Sequence, residues 1–134
     1  MRKLLILVML VGLGLTLNAQ AGYQTFTQDT TEGDVTIYFT STVKSAYVGQ
    51  VSFEGILDGY AASDDVVVIL QGSNDAFATA KIFNIDTIPT YSSTTATPFI
   101  LKDVPADYLN YRLKCVGASG DTVLIKNLLY IYKR

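Results

Sequence analysis

Residues 65–75 read Asp-Val-Val-Val-Ile-Leu-Gln-Gly-Ser-Asn-Asp, and this stretch indicates the fold class. Every residue from Val66 to Leu70 is apolar, so a strand here has both faces covered, as is typical of a central strand in a sheet. Ser73-Asn74-Asp75 then supplies short polar side chains that bond to their own backbone, which predicts a turn. A covered strand that ends in a tight turn predicts a core built from β-strands.

Strands with one buried face are predicted on the N-terminal side of this stretch. Apolar and polar residues alternate in residues 34–43 and 48–57, and this period of two predicts antiparallel strands. The alternating apolar residues are Val35, Ile37 and Phe39 in the first range and Val51, Phe53 and Leu57 in the second. No part of residues 22–134 shows the i, i+3, i+4, i+7 spacing of a capped amphipathic helix.

The C-terminal half continues the same pattern. Further strands are predicted at residues 77–85, 99–101, 108–116 and 122–132. Residues 86–98 are rich in Thr and Ser with Pro near each end, and they are predicted to form the longest and most mobile loop. The whole predicts an all-β protein, an antiparallel β-sandwich or jelly roll of seven to eight strands over residues 34–134.

The N-terminus predicts a helical secretory leader. Two basic residues, Arg2 and Lys3, precede an apolar run over residues 4–17, and Ala19-Gln20-Ala21 matches the Ala-x-Ala pattern of signal peptidase sites. The run is shorter than the roughly 20 residues of a membrane-spanning helix. Residues 1–21 are therefore predicted as a signal peptide cleaved after Ala21 or Ala19, with an uncleaved anchor as the alternative.

Charge and cysteine content exclude several classes of partner. Removal of the leader takes away Arg2 and Lys3, so the number of basic residues falls from 10 to 8, while the number of acidic residues stays at 12. This acidic balance argues against nucleic-acid binding and against a stable membrane association after leader removal. The single cysteine, Cys115, is in phase with Tyr111 and Leu113 and is predicted to be a small buried hydrophobe.

Residues 22–33 are polar and are predicted to form an arm or an edge strand.

Catalytic and metal-binding residues are scarce. The chain has no histidine, which removes the commonest general base and every Ser-His or Cys-His arrangement. Most carboxylates fall at predicted turns, where Asp bonds locally, so the protein is predicted not to be an enzyme. A calcium ion held by Asp64, Asp65 and Asp75 is the weaker alternative, because their spacing matches no calcium-loop motif and no cofactor is otherwise predicted.

Two tyrosines are candidate ligand residues. Tyr60 and Tyr91 lie in predicted loops, where their rings offer platforms for a sugar. The alternative is that tyrosine simply suits strands, with the ring inward and the hydroxyl at the surface.

An outer face of the last predicted strand is a candidate interface. In residues 122–132, the odd positions Val123, Ile125, Leu129 and Ile131 are predicted to face the core. The even positions are then a second apolar face, and exposed apolar patches mark interaction surfaces. This predicts self-association or docking onto a larger assembly through Leu124, Leu128, Tyr130 and Tyr132, with cover by residues 22–33 as the alternative.

Three segments together resemble a known group. Val67 to Asp75 ends in Gln-Gly-Ser-Asn-Asp, Asn110-Tyr111-Arg112-Leu113-Lys114 follows, and a Gly-containing turn leads to Leu129-Tyr130-Ile131-Tyr132-Lys133-Arg134. This order resembles small β-sandwich virion-associated proteins of tailed bacteriophages and prophages, whose core is similar to discoidin-like sandwiches. The aromatic residue that usually follows the turn in that group, often a tryptophan, corresponds here to Phe77 or Phe83. The end of the leader resembles leaders of Bacteroidota.

The resemblance implies a non-catalytic capsid or tail decoration protein located in the virion. The alternative is a secreted or cell-surface module of a Bacteroidota bacterium that binds carbohydrate or a host surface. In both cases the protein is exported or part of a virion, and its partner is a larger assembly or a glycan.

Overall fold

A computed structural model describes residues 21–43, 49–61, 64–78 and 81–133, and these residues form nine β-strands and no helix. The predicted leader lies outside the described residues, apart from Ala21. The strands are β1 (Ala21–Thr25), β2 (Asp29–Glu32), β3 (Thr36–Thr40), β4 (Gln50–Gly59), β5 (Asp65–Ser73), β6 (Ile82–Ser92), β7 (Thr97–Asp103), β8 (Asn110–Gly117) and β9 (Thr122–Lys133).

The strands form two antiparallel sheets that pack into a sandwich. One sheet has five strands: β1 and β2 pair with successive parts of the same edge of β9, followed by β4 and β7. The other has four strands in the order β3-β8-β5-β6. The predicted all-β antiparallel sandwich is confirmed: residues 34–134 form seven of the nine strands, β3 to β9, and the segment predicted as an arm or edge strand contributes β2 and nearly all of β1. In the part of the chain described, no helix is long and apolar enough to cross a membrane.

The core lies between the sheets and contains most of the residues predicted for it; Val35 is 49% exposed and is an exception. β5 is central, between β8 and β6, and its residues Val66, Val68 and Leu70 are almost completely buried. Cys115 is fully buried in β8, as predicted, and burial raises the pKa of its thiol to about 12. This cysteine is a packing residue without thiolate character at neutral pH.

A β-bulge interrupts the last strand. Lys126 pairs with Ile56, but Leu129 pairs with Glu54, so two residues of β9 stand opposite one residue of β4. Asn127, inside the bulge, has a φ of 53°, a left-handed conformation that asparagine tolerates better than most residues. Because side chains alternate with a period of two, the one extra residue reverses which positions face the core.

The reversal corrects the predicted interface. Leu128 and Tyr130 are 1% and 0% exposed and belong to the core, so the prediction that they face outward is wrong. Leu129 and Ile131, predicted for the core, are only half-buried and take the outer face.

The other two predicted interface residues lie on opposite faces of β9. Leu124 precedes the bulge and is half-buried on the outer side. Tyr132 packs against the core, and its ring lies over Gly22, where a Cβ atom would come within 2.2 Å of it. The outward orientation predicted for Tyr132 is therefore also wrong. Gly22 sits in β1, and β1 and β2 pair with β9, so the polar segment that follows the predicted leader contributes edge strands to this sheet.

The prediction of a loop over residues 86–98 is wrong, because the polar composition of these residues does not prevent most of them from forming strands. β6 continues to Ser92, and only residues 93–96 separate it from β7. β6 is an edge strand, where the missing N–H of Pro89 removes no hydrogen bond from the centre of the sheet. At its other end, the strand predicted from Phe77 begins at Ile82 instead, and Phe77 lies in the preceding turn.

Candidate binding face on the four-stranded sheet

Polar residues form one row across the outer face of the four-stranded sheet. The pairing register places Thr40 of β3, Arg112 of β8, Gln71 of β5 and Asn84 of β6 side by side. Their neighbours along β5 and β8, such as Leu70 and Leu113, point into the core. Strand alternation therefore directs this polar row to the outer surface of the sandwich.

Hydrogen bonds connect the row. The Arg112 Nε donates to the Gln71 side-chain oxygen at 2.8 Å, and the Gln71 amide nitrogen donates to the Asn84 side-chain oxygen at 2.7 Å. Gln71 is buried although it faces outward, because its neighbours in the row cover it. The chain of donors and acceptors sets the orientation of both amides and holds the guanidinium in place.

Two aromatic rings enclose the guanidinium. Its central carbon lies 4.2 Å from the centroid of the Tyr38 ring and 4.3 Å from the centroid of the Phe77 ring. Both distances are within the range of cation–π interactions. Burial lowers the pKa of Arg112 from its usual value, and the neighbouring Tyr38 opposes that shift, so the side chain stays charged. We call Tyr38, Gln71, Phe77, Asn84 and Arg112 the polar–aromatic face.

Phe77 reaches this position through a strained turn. Ala76 and Phe77 have φ values of 57° and 64°, and a left-handed conformation is unusual for a bulky side chain. The Ser73 hydroxyl accepts hydrogen bonds from the backbone N–H groups of Asp75 and Phe77, both at 3.2 Å, which hold the turn closed. Backbone strain of this kind costs on the order of 1–3 kcal/mol and concentrates at functional sites.

The turn is also attached to the loop before β8. The Asn74 side-chain oxygen accepts from the Leu109 N–H at 2.9 Å, and the Asn110 amide donates to the Ser73 carbonyl at 3.1 Å. These contacts explain why Ser-Asn-Asp follows β5, and they bring Phe77 over a residue of β8. The turn chemistry read from the sequence therefore positions one wall of the polar–aromatic face.

The two tyrosines predicted as ligand residues have different environments. Tyr91 belongs to β6, is buried, and places its hydroxyl 2.9 Å from the Leu57 carbonyl and 2.8 Å from the Thr95 carbonyl. Its predicted position on an open loop is therefore wrong. Tyr60 is 71% exposed in the turn after β4. It borders a surface cavity of about 280 Å³ with Asp58, Gly59, Thr94 and Leu124.

The acids considered for calcium do not converge. Asp64 and Asp65 lie at the start of β5 and Asp75 lies beyond its end, so the length of a nine-residue strand, about 30 Å, separates them. A single cation cannot bind both groups. In the described ranges no three His, Cys, Asp or Glu side chains are grouped to hold a metal ion. That folding needs no divalent metal stays a prediction.

Sequence reasoning did not find the polar–aromatic face. The alternation of Tyr111, Leu113 and Cys115 implied that Arg112 and Lys114 face outward, and this signal was available. The side chains that surround Arg112 could not be predicted in this way, because Tyr38 and Phe77 lie far from it in the sequence and the sequence pattern places Phe77 in a strand.

The chain shares its fold with proteins of several kinds. No protein-family model matches it, and no curated protein matches it in sequence. A pilus protein of Bacillus endospore appendages is 9% identical with a TM-score of 0.50, covering 87% of this chain and 88% of that one. A family 16 carbohydrate-binding module is 13% identical with a TM-score of 0.52, covering 75% and 73%.

A viral protein has the same likeness over part of its length. The VP2 protein of infectious bursal disease virus is 12% identical with a TM-score of 0.52, and the match covers 86% of this chain but only 36% of VP2. At these identities the likenesses show a common β-sandwich fold alone. The phage-protein resemblance and the export leader stay predictions.

Proposed function

We propose that the protein is an exported, non-catalytic binding module that holds a carbohydrate on its polar–aromatic face. The observation that carries this proposal is the Arg112 guanidinium held between Tyr38 and Phe77 on an open sheet surface. Sugar rings bind to proteins by packing their C–H faces on aromatic rings, together with directed hydrogen bonds from planar polar groups. The fold shared with a carbohydrate-binding module supports the proposal, but only at the level of architecture.

The geometry suits a surface ligand more than an enclosed one. One face of the Tyr38 ring lies on Arg112, yet the side chain is 48% exposed, so its other face is open to a ligand. Asn84 is exposed at the far end of the row and offers an amide to the same ligand. The row crosses four strands, about 14 Å from first to last, so a ligand longer than one sugar ring can contact it along its length.

Removing the aromatic walls is expected to weaken binding. The Tyr38→Ala variant should raise the Kd for a bound glycan about two- to tenfold, because ring contacts of this kind contribute about 0.5–1.5 kcal/mol. The matched control is Tyr23→Ala, since Tyr23 is 73% exposed on the other sheet. The measurement is a glycan array followed by calorimetry on protein exported with its own leader. Its intact mass reports whether the chain starts at Gln20 or Gly22.

The Tyr60→Ala variant belongs in the same series. If it removes binding while Tyr38→Ala leaves binding unchanged, the ligand occupies the cavity beside Tyr60, and the polar–aromatic face is not the site. Equal losses in Tyr38→Ala and Tyr23→Ala, with both proteins folded, would also contradict the proposal.

A second candidate function is a structural subunit of a virion or similar assembly, as the phage-protein resemblance implies. The observation that favours it is a group of apolar residues on the outer face of the five-stranded sheet. Tyr23 and Ile100 are 73% and 49% exposed there, and half-buried Leu129 and Ile131 lie in β9. Ser52 and Glu54 of β4 stand on the same face between β9 and β7. Such a patch on an isolated sheet face is typical of an interaction surface.

The oligomeric state tests this second function. Light scattering coupled to size exclusion is expected to give a mass above that of one chain, because apolar contact between copies buries this face. The Ile100→Ser, Leu129→Ser double variant should then elute as a monomer with little change in melting temperature. The measurement is made at about 100 µM protein, a concentration high enough to detect self-association with a micromolar Kd. A wild-type protein that is monomeric under these conditions would contradict the second function.

A further inference from the structure

We propose that the carbohydrate bound by the polar–aromatic face is an acidic polysaccharide whose carboxylate pairs with the Arg112 guanidinium. This inference rests on the proposed function and names its substrate class. It follows from the contacts that hold the Arg112 side chain, from the Nη donors that remain free for a ligand, and from the charged residues around it.

The free hydrogen-bonding capacity of Arg112 is confined to one edge of its plane. A guanidinium has five N–H donors. The Nε donor is taken by Gln71, and among the described residues the four donors on the two Nη atoms have no hydrogen-bond acceptor. The Tyr38 and Phe77 rings both lie within 4.3 Å of the central carbon of the guanidinium, which leaves the Nη edge as the part offered to a ligand. Two parallel N–H groups on such an edge match the two oxygens of a carboxylate.

The aromatic enclosure makes the site ready for an anion. A free arginine side chain loses about 2 kcal/mol of rotamer entropy when it is fixed, which opposes binding. Here Gln71 and the two rings already hold the side chain, so that cost is met during folding. Partial burial also removes water from the guanidinium, which strengthens its attraction for an opposite charge.

Cations outnumber carboxylates on the strands that hold Arg112, although the chain as a whole is acidic. The chain carries 12 acidic and 10 basic residues. On β3, β5 and β8 the charged residues at outward-facing positions are two cations, Arg112 and Lys114, and one carboxylate, Asp65. Two further carboxylates, Asp75 in the turn and Asp86 in β6, accept hydrogen bonds from the Ser73 hydroxyl and the Thr87 N–H. Asp65 lies six residues along β5 from the partner of Arg112, or about 20 Å away.

The same arrangement argues against nucleic acid and against a neutral glycan as the main ligand. Nucleic acid needs several cations spaced to neutralise successive phosphates, and this face offers two. A neutral glycan would leave the Nη edge facing hydroxyl groups, which accept singly and without charge. A uronate residue supplies both a ring for Tyr38 or Phe77 and a carboxylate for Arg112, so it uses every feature of the face.

The test compares uronate polymers with chemically matched neutral ones. Exported protein is titrated with polygalacturonate, alginate and hyaluronate, and with the same polymers after their carboxyl groups are reduced to alcohols. At least one acidic polymer is expected to bind, and reduction should weaken its binding by at least about tenfold, because a bidentate charged pair is lost. Dextran sulfate serves as a polyanion without carboxylates and is expected to bind more weakly.

Variants separate recognition from general electrostatics. The Arg112→Lys variant keeps the charge but loses the paired donors, and it should lower affinity about tenfold. The Lys114→Gln variant removes a charge next to Tyr38 on the same sheet face but keeps the guanidinium and both aromatic side chains, and it should lower affinity less than threefold. Melting temperatures of both variants must stay near that of the wild type, and Lys114→Gln provides the well-folded reference if Arg112→Lys loosens the turn.

Several outcomes would overturn the inference. Undiminished binding to the reduced polymers, or equal binding to dextran sulfate, would show that no carboxylate is recognised. Equal losses in Arg112→Lys and Lys114→Gln would show that only net charge matters. Binding to neutral glycans alone, with Tyr38 still required, would reject the acidic ligand and leave the proposed function standing. Binding to no glycan would reject both.

Discussion

Replacing Leu128 with serine is expected to cost at least about 3 kcal/mol of folding free energy, whereas Leu129→Ser should cost less than about 1 kcal/mol. Leu128 is 1% exposed and contacts the core of the sandwich, so serine leaves a cavity and buries a hydroxyl. Leu129 is half-buried on the outer surface, where serine remains in contact with water. Urea unfolding of both variants, with the slope of the transition compared, measures the two costs.

This pair of variants tests the bulge at Asn127 directly. The two leucines are adjacent and the substitutions are identical, so helix, strand and unfolded-state effects largely cancel. A strand without the bulge would put Leu129 inward and Leu128 outward, and the costs would be reversed. For the same reason, a Leu128→Ser, Tyr130→Ser variant would report on folding and not on association.

Removing the hydroxyl group of Tyr111 is expected to cost about 1–3 kcal/mol, because it removes a hydrogen bond to a charged carboxylate and leaves two half-buried partners each one bond short. This hydroxyl donates to the Asp103 carboxylate at 2.6 Å and accepts from the Tyr108 N–H at 3.0 Å. Tyr111 lies in β8 and Asp103 at the end of β7, so the bond joins the two sheets. Thermal or urea unfolding of Tyr111→Phe measures the cost.

Tyr130→Phe is the matched control. The Tyr130 hydroxyl is equally buried but has no hydrogen-bond partner within the described residues. The nearby Ser41 hydroxyl is engaged with the backbone of Val43. Loss of the Tyr130 hydroxyl should therefore cost less than about 1 kcal/mol. Equal losses of unfolding free energy in the two variants would show that the hydrogen bond from Tyr111 to Asp103 adds no measurable stability.

The same two tyrosines predict a loss of stability in alkali. Burial, with the Asp103 hydrogen bond, raises the pKa of Tyr111 above its ordinary value of 10.0, and burial raises the pKa of Tyr130 to about 12. The unfolded chain then releases these protons first as pH rises. Their contribution is complete below pH 10 and is lost progressively above it. Urea unfolding from pH 9 to 11.5 should show this decline, and Tyr111→Phe should make it shallower.

The residues that sequence reasoning located correctly share one property. At Cys115 the neighbouring residues alone reveal that the side chain is buried, because a strand without an inserted residue keeps its phase. In the apolar run from Val66 to Leu70 either phase gives a buried face, so the strand is predicted whichever face is buried. The prediction that both faces are covered is only partly right, because Val67 and Ile69 are half-buried. That is why the central strand, the sandwich and the buried thiol were all predicted.

The failures have a common cause as well. The phase of β9 changes at Asn127 because β4 offers Gly55 opposite two residues, and β4 lies far away in the chain. Residues 86–92 form a strand because β5 supplies hydrogen bonds to them, although their own composition is that of a loop.

By itself, the sequence determined the strand period, the central strand, the turn after it and the lack of a histidine for catalysis, because each is a property of adjacent residues. Only the tertiary structure decided which side of β9 is buried and what surrounds Arg112. Its two rings come from β3 and from a strained turn, and its hydrogen bond comes from β5. Contacts between such distant segments depend on strand order and register, and strand order and register are fixed when the two sheets pack.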